Sequence, residues 1–359
     1  MTDGTQIFDS APPAPADRAR ARRIPARELL TEAQLAELRT RSIWRGVAMI
    51  AHAWLVIAAA MALVAIYPNP LTVLSAIVII GSRQLGLAIL MHDGAHGAFS
   101  TDPRVNFGLS QWFCAYPIFA ETRAYRTYHL QHHAHTQTSE DPDLVLSAPF
   151  PITEASYRRK FWRDISGQTG YQQRRAQWVN AWGPATLSIE ARVRQIMARL
   201  GPQIAVNVVL FAVTTVAISW WAYPLLWIAP LITWFMVITR VRNIAEHAVV
   251  PDSTDPLRNT RTTHANWIER ALVAPYFVNY HLEHHLFFYV PAYNLPKLHA
   301  ILMSGPHASR MEVQSGYWQV MQMARTKPAH NDQPGALVSN VRRLAEGKGV
   351  DENSARSGF

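Results

Sequence analysis

The chain has 359 residues, 49% of them hydrophobic and only 16% charged, with 34 Lys and Arg against 25 Asp and Glu for a formal charge of +9. A charged fraction this far below the usual quarter excludes an ordinary soluble enzyme and a disordered chain. The single cysteine, Cys114, excludes a disulfide framework, a C-x-x-C redox motif and a built-in iron–sulfur or rubredoxin centre.

In chain order, the first 28 residues read as a disordered basic tail, low in complexity to Asp17 and Arg-rich from Arg18 to Arg27. No signal peptide is expected, because the first apolar run begins only after some forty polar residues. Thr31-Glu32-Ala33-Gln34 fits a capping box that opens a short surface helix. Gly46 to Ser82 and Leu200 to Thr239 contain no Asp, Glu, Lys or Arg, and each is long enough to cross a bilayer twice. The first breaks at Tyr67-Pro68-Asn69-Pro70, which predicts spans over 43–66 and 71–91; the second breaks near Trp220 to Pro224, which predicts spans over 204–221 and 225–242. Val105 to Ala120 is also uncharged, but sixteen helical residues reach about 24 Å of a roughly 30 Å core, so a re-entrant or interfacial segment is expected there. Ile189, Val193, Ile196 and Leu200 recur at helical spacing beside arginines, which predicts a helix lying along the inner membrane surface. Residues 327–359 read as a polar tail, leaving a membrane domain over 29–326.

The expected fold is therefore all-α and integral to the membrane, with four transmembrane helices in two hairpins and a cytoplasmic helical cap. The turns within the two apolar blocks are uncharged, whereas the N-terminal arm, the section from Arg158 to Arg199 and the C-terminal part are basic. By the positive-inside rule these three face the cytoplasm, as in a bacterial inner membrane protein. Anionic lipid headgroups account for the net charge, and nucleic-acid binding need not be invoked.

Fifteen histidines are present, and nine fall into compact groups: His92 and His96; His129, His132 and His133; His247; and His281, His284 and His285. The first pair, at i and i+4, shares a helical face. In each H-x-x-H-H triplet the first two rings are one turn apart and the third points to the adjoining face, so one triplet can serve two metals. All four groups fall on the predicted cytoplasmic side. Imidazole without thiolate suits iron or zinc over calcium or magnesium. Nine nitrogens are too many for one ion and suit two ions with open positions. Asp93, Glu140, Asp141, Asp143, Glu246 and Glu283 are available to fix ring tautomers. Asn243, one turn before His247, is placed to orient a metal-bound water. His135 beside the second group is not counted as a ligand, and His52, His264, His299, His307 and His330 are expected to be packing or solvated residues. No role is assigned to Trp112, Arg126, Trp267 or Asn279.

These motifs, His92-Asp93-Gly94-Ala95-His96, His129-Leu130-Gln131-His132-His133, Asn243-Ile244-Ala245-Glu246-His247 and His281-Leu282-Glu283-His284-His285, resemble the histidine boxes of the integral-membrane fatty acid desaturase and hydroxylase superfamily. The resemblance runs from about Ile43 to Leu302 and looks especially like bacterial acyl-lipid desaturases. It implies a non-haem centre of two iron ions, dioxygen as co-substrate, and a separate electron donor of ferredoxin, rubredoxin or cytochrome type. No H-P-G-G haem motif occurs. Three residues separate the histidines of the first box, as in many acyl-lipid desaturases, which points to a lipid-linked or carrier-linked acyl substrate reached through a narrow apolar tunnel. Lipid hydroxylases and carotenoid ketolases or hydroxylases share the pattern. A metal transporter is expected to carry ionisable groups along its spans, and a membrane zinc protease to carry H-E-x-x-H.

Overall fold

The structure is a computed structural model that describes residues 21–326. The expectations for residues 1–20 and for the tail at 327–359 lie outside the described residues. The chain is mostly helical, and four helices are long and apolar enough to cross a membrane: Ile43–Ile66, Pro70–Ala95, Ile189–Ala217 and Pro224–His247.

The first span begins where the Ser42 side chain accepts a hydrogen bond from the Arg45 amide and runs to Ile66, over the predicted range. Asn69 starts the second: its side chain accepts from the Leu71 and Thr72 amides, and Pro70 sits at the first helical position, where its missing N–H costs nothing. Only three residues join the two helices, so they pack side by side. The second span is the most enclosed of the four. Its Ile80, Leu87 and Leu90 pack with Ile57 and Val64 of the first span and Trp227 and Ile238 of the fourth. It continues past residue 91 to Ala95, which carries the first histidine box on its last turn.

The third span departs from expectation. The predicted surface helix at 189–200 and the span at 204–221 are one helix, Ile189–Ala217, with Pro202 inside it. Proline has no N–H for the Ala198 carbonyl, yet the helix runs on through it, with Leu200, Gln203 and Asn207 buried on either side. Its first turns are tied to the preceding helix, Gln168–Trp182, by Gln195 and Arg199, whose side chains donate to the Ala181 and Asn180 carbonyls at 3.0 and 2.8 Å. The helix stops at Ala217, short of 221, where Ile218 takes φ −131°.

The fourth span packs chiefly against the second, and Tyr223 at its start donates to Asn207 of the third at 2.8 Å. It is irregular, with a wide turn at Pro224–Ile228 and a break at Thr233 (φ −116°, ψ −89°). It extends beyond 242 to His247. The short segment at 105–120 is a helix, Pro103–Ser110, followed by a wide turn, Gln111–Ala115, and a tight one, Tyr116–Ile118. Its carbonyls at Tyr116 and Pro117 accept from Asn207 of the third span and Trp227 of the fourth.

The expected disorder of residues 1–28 fails for residues 21–28. Ala21 donates its amide to the Ala134 carbonyl, Ala26–Leu29 is a helical turn, and Ile24 and Ala26 pack on a second apolar cluster around Leu282, Phe287 and Leu298. Apolar burial at Ile24 and Ala26 outweighs the surrounding charge. One parallel pair of two-residue strands, Thr262–Thr263 with Val313–Gln314, supplements the helices, and Thr262 also bridges to Tyr280, next to the last histidine box.

Candidate metal centre

Four segments carry the nine imidazoles. His92 lies on the last turn of the second span and His96 caps it. His129, His132 and His133 lie on Thr122–His135, which starts where Glu121 accepts from the Arg123 and Ala124 amides. His247 ends the fourth span, and His281–Leu286 is a single short helix. Arg126 donates to the Ala95 carbonyl at the open end of the second span, which joins the first two segments.

All nine rings meet, and they meet in two groups. His92, His96, His129, His133 and His284 form one; His132, His247, His281 and His285 form the other, with the possible ligand atoms in each group within 4.8 Å of one another. The division differs from expectation in one respect. In both triplets it is the first and third rings, at i and i+4, that stay together, and the middle ring crosses to the other group. At 100° per residue, i+4 returns to within about 40° of the starting direction, whereas i+3 misses by about 60°.

Several ring nitrogens face one another at close range. His129 and His133 approach at 2.9 Å, His133 and His284 at 3.0 Å, His247 and His281 at 2.8 Å, and His132 and His285 at 3.3 Å, all through Nε2. With metal–nitrogen bonds of about 2.1 Å, two ligands at right angles stand about 3 Å apart, so the spacing matches nitrogens sharing an ion. Both ring nitrogens of His92 and His96, together with Nδ1 of His133 and of His247, are buried without a hydrogen-bond partner. Buried polar atoms are rarely left so unless something else engages them. The donor set and its orphaned atoms fit two metal ions.

The outer nitrogens are held by the surrounding protein. His132 Nδ1 stands 2.7 Å from Asp141 Oδ1, and Asp141 is itself held by the Gln137 and Asp143 amides at 2.8 and 2.9 Å. His285 Nδ1 lies 3.3 Å from the Thr136 hydroxyl, which donates its own proton to the His132 carbonyl at 2.8 Å. The hydroxyl is thus an acceptor for His285 Nδ1–H, which leaves Nε2 bare towards the group. His281 Nδ1 lies 3.5 Å from Glu246, whose carboxylate is gripped by Arg242 at 2.6 Å.

The other expected carboxylates divide. Asp143 is 3.6 Å from His132 and accepts from Tyr128, and Asp93 is 3.4 Å from His92 Nδ1 and accepts from the Ala292 amide at 3.3 Å. Glu283 turns away from the box to His299, Nδ1 to Oε1 at 2.6 Å, and to the Thr262 hydroxyl. His299, expected to be packing or solvated, is therefore the partner that holds the carboxylate between two box histidines. Glu140 is exposed on the loop and accepts from Ser139. Asn243 is half-buried one turn before His247. Arg242, Thr136 and Tyr125, whose ring stacks on His129 at 5.0 Å, carried no signal in the sequence beyond their neighbourhood to the boxes.

Burial sets the charge state. It depresses the rings of His129, His133, His281, His284 and His285 well below the ordinary imidazole value, and His96, with Arg126 nearby, falls to about 3. His132 is the opposite case: burial pulls it down, but Asp141, Asp143 and Glu246 outweigh that and raise it to about 9.

A sequence model of the family described as fatty acid desaturase matches residues 68–317, which enclose every box. The chain belongs to the fatty acid desaturase family. Dihydrorhizobitoxine desaturase of Bradyrhizobium elkanii is 30% identical over 300 residues, covering 79% of this chain and 82% of that protein. Within this desaturase, the matched region begins at the turn between the first two spans and ends at Tyr317 on the last described helix, so family membership covers the elements that build the imidazole cluster. Desaturase-type oxidoreductase chemistry, a membrane setting and a metal-binding histidine cluster follow from these findings together.

Proposed function

We propose that the protein is an oxygen-dependent desaturase that introduces a double bond into a lipid-linked or carrier-linked acyl chain. The observation that carries this reading is the convergence of nine imidazoles into adjoining groups of five and four inside a desaturase fold. His92, His96, His129, His133 and His284 would hold one iron ion, and His132, His247, His281 and His285 the other, with Asn243 orienting a water beside the second group. When bound, the iron pair supplies an oxidant, from dioxygen and two electrons, strong enough to break an unactivated C–H bond, which no side chain can do. Removing two hydrogens from adjacent carbons then gives the alkene, and the two electrons and two protons supplied with dioxygen balance release of two waters.

The chain's own residues do the rest. The buried His285 ring presents its Nε2 lone pair inward because Thr136 takes its outer N–H, and Asp141 holds Nδ1–H of His132, whose Nε2 would give up its proton to a metal. Glu246 with Arg242 steadies His281 electrostatically without adding net charge. The box helices shut out water, which protects the oxidising step from side reactions. The basic arm and middle section support a cytoplasmic centre in a bacterial inner membrane, where a separate ferredoxin, rubredoxin or cytochrome would deliver electrons.

The test is mass spectrometry of lipids and acyl carriers from aerated cells making the protein or its His284→Ala form, with dihydrorhizobitoxine added as a further candidate substrate. Acyl chains lighter by two hydrogens only with the intact protein are expected. Products gaining oxygen instead would replace desaturation by hydroxylation.

A further inference from the structure

The second span carries a charge that no histidine box explains. Arg83 lies within an apolar helix and is only 6% exposed. Ionisable groups inside spanning helices are costly, and they mark ligand or ion sites by default. Three arginines are buried among the described residues: Arg83, Arg242 and Arg261. Arg242 has Glu246 at 2.6 Å and Arg261 has Glu312 at 2.9 Å. Arg83 has no carboxylate within ion-pair distance among the described residues. It donates to the Ala271 carbonyl and faces Tyr276, with its guanidinium carbon 5.7 Å from the ring centre. A guanidinium carries five N–H donors in a fork shaped for an oxyanion; the Ala271 carbonyl takes one on Nη2 and the Tyr276 side chain is a second, neutral partner, so no anion balances the charge.

Arg83 opens onto a groove of about 540 Å³ between the first two spans and the loop before the last box. Met49, Ile79 and Leu272 give it apolar walls, His52, Arg83 and Tyr276 line it with polar groups, and the exposed Arg270 adds a second cation to the lining. The backbone is bent to place Tyr276. Tyr276 and Phe277 both hold positive φ, 53° and 65°, a conformation side chains rarely adopt and one that concentrates at functional sites. Gly86 makes the room: a Cβ there would stand 2.7 Å from Tyr276 Cε2. The Tyr276 hydroxyl lies 3.0 Å from His52 Nδ1. His52 and Arg83 are at matching depth on the two helices, each about 20 Å from the connecting turn in a core of roughly 30 Å.

We propose that this groove binds the anionic head, a carboxylate or phosphate, of an amphiphilic substrate, with Arg83 as its cation and His52 and Tyr276 as hydrogen-bonding partners. The proposal rests on the desaturase reading and deepens it. His92 lies nine residues further along the same helix, about 13 Å at the helical rise, so a head held at Arg83 sets which carbons stand beside the imidazoles. An apolar groove lined by the buried Arg83 and the exposed Arg270 favours an acid over an uncharged amphiphile of the same length, because only the acid supplies the counter-charge the buried guanidinium lacks.

The full-length protein in phosphatidylcholine nanodiscs is irradiated with a diazirine-bearing dodecanoate, or with the matching dodecanol, and the labelled peptides are mapped by mass spectrometry. The acid is expected to label the Met49 to Val56 and Leu272 to Phe277 stretches about tenfold more than the alcohol, and Arg83→Gln to remove that excess. Equal labelling by the alcohol, or an Arg83→Gln protein labelled like the parent, overturns the site. If Arg83→Gln does not insert, Ile79→Trp fills the groove with Arg83 intact and is expected to lose the label; retained label overturns the site equally. Phosphatidylglycerol added to the nanodiscs separates the sources: competition by it overturns the substrate assignment in favour of a bilayer lipid, and none supports it. Labelling needs neither metal nor turnover, so inactive protein that still prefers the acid breaks the desaturase reading and leaves the site.

Discussion

His132 and Asp141 form a pair buried from solvent, ring Nδ1 to carboxylate Oδ1 at 2.7 Å, nine residues apart across the turn that leaves the second box. The carboxylate holds the proton on Nδ1 and turns Nε2 towards His285. Asp141→Asn keeps the volume but removes the charge that selects this tautomer. Metal affinity is expected to fall about 10-fold to 100-fold, read by chelator competition, and helicity should be unchanged. Affinity equal to the parent protein would remove Asp141 from this role.

The division of the rings predicts a division of the metals. His284→Ala removes one ring of the group of five, and His285→Ala, its neighbour in sequence, removes one of the group of four. Each variant is expected to retain one ion's worth of metal by elemental analysis after purification, while product formation is lost in both. Parent-level metal in either variant counts against that ring as a ligand.

Acid should loosen the metal-free protein. Burial depresses six rings outside the spans, those of His96, His129, His133, His281, His284 and His285. Below about pH 6.5 the unfolded chain takes up protons that the folded chain refuses, so stability falls as the pH drops. His132 works in the opposite sense: raised to about 9, it stabilises the metal-free fold fully below about 6.5, and that contribution is lost as the pH rises through 9. Six rings against one give a melting temperature that declines from pH 7 to pH 5. A flat profile in thermal melts over that range would falsify the burial argument.

Metal loading has its own proton signature. His132 is protonated in the metal-free protein at neutral pH, and a ligand must give up that proton. Calorimetric titration with ferrous or zinc ion in buffers of different ionisation heat is expected to report about one proton released at pH 7.5. Zero release would show that the His132 ring is already neutral before the metal arrives.

Gly94 is where the second span can least accept a side chain. A Cβ there would stand 2.3 Å from Ser110 Oγ, and Ser110 is hydrogen-bonded to Thr122 on the second box helix at 2.8 Å. Gly94→Ala is expected to cost about 1–3 kcal/mol and to lower metal content by shifting His92 and His96 against His129. Thermal melts and elemental analysis check it together.

The sequence alone determined the element types, the first span and the identity of the nine imidazoles, because long uncharged runs and histidines at helical spacing are local signals. An uncharged run of spanning length marks a membrane helix wherever its exact ends fall, and two rings four residues apart on a helix must share a face. Only the tertiary structure decided the remainder. The ring sharing across the two groups joins His284 to His92 and His285 to His247, over distances along the chain that carry no periodic signal. The pairs Glu283 with His299 and Glu246 with His281 arise because helices cross there. The surface helix ending at Leu200 and the span starting at 204 read as separate elements in the sequence, yet they form one helix that runs through Pro202. Arg83 is a single charge at the edge of an apolar run in sequence. It becomes a buried cation lacking a carboxylate only when Tyr276, folded back by its left-handed backbone, closes over it. Local chemistry is written in the order of residues, whereas partnership depends on which surfaces the packed helices bring into contact.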